Sequence, residues 1–166
     1  FIYPCFFLLL WPISLYFLYK KSAKQLSLFC SLVIIAFLFT EYLIHSPDYL
    51  WFFYAAYPII WWPILMHLGE KSKSLRVAII GSLTTIIYYS SFNFFGSPEY
   101  PWAIYPAFAV IWWPLAIYHA KRKTFVFFSF TASLLISIFF ITVNIVSSPS
   151  TVWAVYPIFA VIWWPL

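Results

Sequence analysis

Four prolines, Pro12, Pro63, Pro114 and Pro165, stand 51 residues apart, and so do four tyrosines, Tyr3, Tyr54, Tyr105 and Tyr156. Around the third proline the chain reads Ala103-Ile104-Tyr105-Pro106-Ala107-Phe108-Ala109-Val110-Ile111-Trp112-Trp113-Pro114-Leu115. The same run returns at 154–166, altered only by Val155 for Ile104 and Ile158 for Ala107. A tandem repeat with no insertions means one supersecondary unit copied several times, each copy burying its faces against its neighbours. The chain opens inside one copy and closes inside another, which predicts a piece of a longer protein.

Between the repeated prolines lie apolar runs about 20 residues long, the length a helix needs to cross a bilayer. The chain is 65% hydrophobic, 26% aromatic and 8% charged, against roughly 25% charged in a soluble domain. The lipid bilayer is therefore the expected solvent. The net charge of +5 is no nucleic-acid signal. The basic residues fall in three short clusters, Lys20/Lys21/Lys24, Lys71/Lys73/Arg76 and Lys121/Arg122/Lys123, which form no basic face for a phosphate backbone.

The pattern predicts an all-α integral membrane protein with about seven spans. Four odd-numbered, proline-bearing helices cover 1–19, 47–68, 98–119 and 149–166. Three even-numbered helices cover 25–45, 75–95 and 124–146. One transmembrane domain is expected, built of tandem 51-residue hairpins: 1–46 in part, 47–97, 98–148, and 149–166 in part. Each basic cluster follows an odd helix, and the Ser-Pro loops at 46–48, 97–99 and 148–150 carry no basic residue. Positive charge gathers in cytoplasmic loops. The loops around 20–24, 70–76 and 120–123 are thus expected inside, and the Ser-Pro loops outside. Hairpins inserted in the same direction are related about an axis along the membrane normal, and form either a ring or an open arc.

In the Ser-Pro loops, serine is expected as N-cap and proline as first helical residue of each odd helix. Asp48 and Glu99 would then face the positive helix end. From Ser97 to His119 such a helix rises about 33 Å. Trp51, Trp102 and Trp153 would lie at the outer interface. A proline within a helix deprives the carbonyl four residues earlier of its donor. Pro106 and Pro114 should therefore kink the helix and free the carbonyls of Trp102 and Val110, and lipid offers them no substitute. In the second copy Ala55 takes the first proline's place and Pro58 follows three residues on. The odd helices are expected inside the assembly. Trp102, Tyr105, Pro106, Ala109 and Trp113 would share one face, with Ala109 admitting a neighbouring helix. That face serves either helix packing or an aromatic box for an organic cation or apolar ligand.

The even helices carry sparse polar stripes: Ser82, Thr85, Tyr89, Asn93 in one, and Ser129, Ser133, Ser137, Asn144 in the next. They read as interhelical fastenings or as the lining of a polar path. Glu41 and His45, four residues apart, form the one ionisable pair within an apolar run. They read as an ion pair or as a proton or ion site. Glu41, His45, Asn93 and Asn144 are the candidate polar site. His67 and His119 end odd helices, where the dipole favours them, and no ligand partners lie at metal-binding spacing. Cys5 and Cys30 read as packing residues. No cofactor is expected, and with no nucleotide-binding glycine loop or nucleophile-base set, neither is an enzyme.

Asn93, Pro98, Trp102, Pro106, Trp113 and His119 together give the unit its signature. This unit resembles the bacterial two-transmembrane-helix domain, a small helical hairpin found alone, in tandem, or attached to sensor and regulatory proteins. The resemblance spans nearly the whole chain, one hairpin per repeat, and implies membrane anchoring or sensing. The leading expectation is a non-catalytic scaffold, sensor or regulatory subunit of a membrane complex. Contacts to a membrane-protein partner or to a second copy are expected through Trp61, Trp62, Trp102, Tyr105, Trp112, Trp113, Trp163 and Trp164. The alternatives are a small transporter or channel between kinked helices, and a receptor or immunity-type protein for a hydrophobic or organic-cation ligand.

Overall fold

The computed structural model describes residues 2–45, 47 and 50–165, without the side chains of residues 2, 3, 5, 7 and 9. The expectations for Asp48 and for the Cys5 side chain lie outside the described residues. Seven α-helices follow in order: α1 Ile2–Tyr19, α2 Ala23–His45, α3 Trp51–Leu68, α4 Leu75–Gly96, α5 Ile104–Arg122, α6 Phe125–Ser147 and α7 Val155–Ile162. A short 3-10 segment, Gly69–Lys73, separates α3 from α4. No strand occurs among the described residues. The helices α2, α4 and α6 are long and apolar enough to cross a membrane.

The chain forms two compact units, Phe1–Ser72 and Lys73–Leu166. In the first, α2 packs most closely on α3 and also meets α1. In the second, α4 packs most closely on α5, α6 packs on α7, and α5 also meets α6. The intimate pairs are thus an even helix and the odd helix that follows it.

The even helices fall within two residues of their expected limits, whereas α3, α5 and α7 start four to six residues late. The Ser-Pro turn does not begin the odd helix. Ser97 and Ser148 are the C-caps of α4 and α6. The Ser97 hydroxyl accepts the Trp102 indole N–H at 2.6 Å. Glu99 lies five residues before α5, out of reach of a dipole effect that fades within one turn. The late start also moves Pro106 into the first turn of α5, where a missing N–H costs nothing. The Trp102 carbonyl therefore keeps a donor, the Tyr105 N–H at 3.1 Å. Pro114 lies in the interior of α5, which runs through it as one helix.

Small and polar residues fill the helix seams. The buried set is Cys30, Ala56, Ala78, Ala103, Ala132, Val143 and Ala154, with Ser27, Ser31, Glu41, Ser82, Asn93, His119, Ser133 and Asn144. Large apolar side chains face outward, Phe94 and Phe95 being 73% and 83% exposed. Water would drive the opposite arrangement. In lipid, small residues let backbones approach and polar groups join helices. Ala109 is exposed, so it does not admit a neighbour as expected. That part falls to Ala78, Gly81 and Ala132 on the even helices.

Candidate functional site

Pro63 and Pro114, inside α3 and α5, each leave a carbonyl without its helical donor, and in each case a serine on the preceding even helix supplies one. Pro165 lies beyond α7, and the Val161 carbonyl four residues before it takes the Trp164 N–H at 3.1 Å as well as a serine. Ser31 Oγ donates to the Ile59 carbonyl at 3.2 Å. Ser82 Oγ donates to the Val110 carbonyl at 2.9 Å, and Ser133 Oγ to the Val161 carbonyl at 3.2 Å. Donors and acceptors each step by 51 residues, and every pair is 28 residues apart in the chain. The defect made by the proline becomes the point where the two helices are joined.

A second fastening closes the Ser-Pro turn. Asn93 Nδ2 donates to the carbonyls of Ser97 (2.7 Å) and Tyr100 (2.8 Å), while its Oδ1 accepts the Ala103 N–H at 3.1 Å. Asn144 does the same with Ser148 (2.9 Å), Thr151 (2.7 Å) and the Ala154 N–H (2.9 Å). Ala103 and Ala154 are the N-cap residues of α5 and α7 and have no side-chain cap of their own. Each asparagine therefore fixes where its odd helix starts, reaching across from the helix before. Counting each even helix and the odd helix after it as one copy, α2–α3 is the first, α4–α5 the second and α6–α7 the third. The first has Tyr42 at the matching position, its hydroxyl donating to the Pro47 carbonyl at 2.7 Å.

Glu41 and His45 meet as expected, Glu41 Oε2 lying 3.0 Å from His45 Nδ1, with Glu41 buried and His45 exposed. Asn93 and Asn144 serve separate turns rather than one polar path. Other members of the stripes turn back onto their own helices: Thr85 to the Gly81 carbonyl, Ser129 to Val126 and Ser137 to Ser133. His119 is buried, its Nδ1 2.8 Å from Thr124 Oγ1 and its Nε2 3.2 Å from Thr131 Oγ1, which ties the end of α5 to α6. No group of three or more metal-ligating side chains occurs among the described residues.

The doubled tryptophans divide their labour. Trp112 meets Phe128 of α6 edge-on, ring centres 6.3 Å apart. Trp113 turns to α4 and lies against Gly81 so closely that a Cβ there would collide with the indole. Trp164, in the position of Trp113 and just beyond α7, meets Phe128 at 6.3 Å. Trp61 contacts Tyr57 and Trp163 contacts Phe159. Trp62, Trp163 and Trp164 remain exposed. Tyr105 stacks on Tyr100 with their hydroxyls 2.5 Å apart. That hydrogen bond holds the Tyr100 phenol above its usual pKa of 10.0.

A cleft of about 370 Å³ opens beside the Asn93 turn, lined by Ser90, Asn93, Phe94, Pro98, Pro101, Ala103, Ile104 and Ala107. A smaller one of about 190 Å³ takes the equivalent place beside Asn144. Compared with protein families, with curated proteins and with solved structures, the chain finds no match. The serine fastening was readable in advance. Three serines and the three carbonyls four residues before a repeated proline share one 51-residue step, yet the polar stripes omit Ser31 and do not set the serines against those carbonyls.

Proposed function

We propose that this chain is a multi-pass, non-catalytic membrane protein built of tandem helical hairpins, acting as a scaffold, sensor or regulatory subunit of a membrane complex. All seven helices belong to membrane spans, with the basic loops in the cytoplasm and the Ser-Pro turns outside. At 18 and 19 residues, α3 and α5 are roughly 27–29 Å long, close to the ~30 Å hydrocarbon core. The hairpin signature supports kinship with the two-transmembrane-helix domain.

The observation that carries this reading is how the buried polar side chains are used. Ser31 and Ser82 satisfy proline-freed carbonyls, Ser133 bonds the Val161 carbonyl at the end of α7, and Asn93 and Asn144 cap turns. These groups hold helices together, and the asparagine amides are already engaged by backbone. Exposed apolar and aromatic surface is then what remains for partners, with Trp62 and Trp163 the best placed. Trp113 is a packing residue, so its replacement would test the fold rather than recognition.

The experiment is to purify tagged, full-length protein in mild detergent and to measure the mass and composition of the complex. The scaffold reading expects a stoichiometric second membrane protein, lost on Trp62→Leu or Trp163→Leu. A homogeneous species containing this protein alone would refute it.

A further inference from the structure

The 370 Å³ cleft at the Ser-Pro turn between α4 and α5 lies where the α2–α3 pair carries three aromatic rings. Its lining residues Ser90, Asn93 and Ala103 stand one repeat after Phe39, Tyr42 and Phe52. In the first copy those three rings pack on one another. Ring centres are 5.3 Å apart for Phe39 and Phe52, 5.9 Å for Tyr42 and Phe52, and 6.3 Å for Phe39 and Tyr42. In the third copy the positions hold Ile141, Asn144 and Ala154, and the cleft shrinks to about 190 Å³. At these three positions the copies thus run from three rings, through one isoleucine, to none.

The open cleft is shaped by the turn between α4 and α5. The Asn93 clasp fixes the Ser97–Ala103 backbone, and Pro98 and Pro101 stiffen the rim. Its volume falls in the range of small-molecule sites, about 300–1,000 Å³. No charged side chain lines it. The Asn93 amide is committed on both sides, to the Ser97 and Tyr100 carbonyls and the Ala103 N–H. A charged or strongly polar ligand would enter without compensation. An aromatic ring would meet Phe94, proline rings and aliphatic groups, replacing the contacts made in the first copy by Phe52.

We propose that the cleft between α4 and α5 at Ser90, Asn93 and Ala103 binds an uncharged molecule carrying one aromatic ring. The site goes beyond the scaffold role and does not require it.

The test uses the full chain in lipid nanodiscs with a phenyl(trifluoromethyl)diazirine photoprobe, toluene as competitor, and mass spectrometry to locate the adducts. Labelling of residues 90–107 should saturate and lose its saturable component with excess toluene. Labelling at Ile79 and Ile80, which are exposed on α4, should rise linearly and ignore the competitor. Ser90→Phe and Ala103→Phe restore first-copy rings, and each should abolish the saturable component. Phe52→Ala makes the reverse change and should create saturable labelling around residues 39–56. Linear labelling at 90–107 would overturn the proposal, as would saturable labelling indifferent to Ser90→Phe. Displacement by methyl palmitate but not by toluene would identify a lipid chain as occupant and overturn it as well.

Discussion

Replacing Ser82 by alanine removes the side-chain donor to the Val110 carbonyl, which Pro114, having no N–H, cannot replace. Interhelical hydrogen bonds in membranes average only about 0.6 kcal/mol and reach about 1.7. Here Pro114 withholds the usual helical donor from the acceptor, and an unsatisfied group away from water costs about 1–3 kcal/mol. We expect Ser82→Ala to destabilise the second unit by about 1.5 kcal/mol, roughly tenfold in its folding equilibrium. The control is Thr84→Ala. Thr84 Oγ1 bonds the Ile80 and Gly81 carbonyls of its own helix at 2.9 and 3.0 Å. Both carbonyls keep helical donors, so the change should cost little. The decisive variant is Pro114→Ala, which gives Val110 back a helical N–H. In that background Ser82→Ala should cost less than about 0.5 kcal/mol, a coupling of about 1 kcal/mol in a double-mutant cycle. Steric-trapping unfolding in bicelles measures all four corners. Equal cost of Ser82→Ala with and without Pro114 would refute the claim that the serine answers the proline.

Further outcomes follow from the same geometry. Asn93→Leu deletes three hydrogen bonds and should cost about 2 kcal/mol. Hydrogen exchange should then show lost protection at the Ala103 amide. Gly81→Ala drives a methyl group into the Trp113 ring and should destabilise by about 1–3 kcal/mol, a cost that Trp113→Leu relieves in the same unfolding assay. Tyr105→Phe removes the hydroxyl that raises the Tyr100 pKa. The Tyr100 titration followed by NMR of carbon-labelled tyrosine should move down toward 10.0; an unchanged midpoint would contradict the cause assigned.

Helix number, helix type and the limits of α2, α4 and α6 could be read directly, because long apolar runs bounded by charged or Ser-Pro segments leave few choices. The starts of α3, α5 and α7 could not. Ser-Pro is a strong local helix-start signal, but Ser97 and Ser148 end the preceding helices. The true start of α5 is fixed by an Asn93 side chain ten residues away, a tertiary contact that overrides local preference. From that error followed another: Pro106 reads as an interior proline only if the helix begins at residue 98. The need for donors at proline-freed carbonyls was legible from elementary chemistry, and the Val110 carbonyl has one. The cleft was hidden in a comparison between copies, the set Phe39, Tyr42, Phe52 against Ser90, Asn93, Ala103, whose members are scattered in sequence and meet only when helices pair.

In the proposed topology the chain crosses the membrane repeatedly with every basic loop on one side, and single-cysteine accessibility tests that most directly. In a Cys5→Ser, Cys30→Ala background, cysteines replace Lys24, Lys71 and Lys121 in the basic loops, and Glu99 and Ser150 in the Ser-Pro turns. All five positions are exposed. A membrane-impermeant maleimide applied to sealed, right-side-out vesicles should modify the cysteines at positions 99 and 150 alone. The other three should react only in inverted vesicles. Reaction of a basic-loop position from the outside, or of all five from one side, would contradict the account.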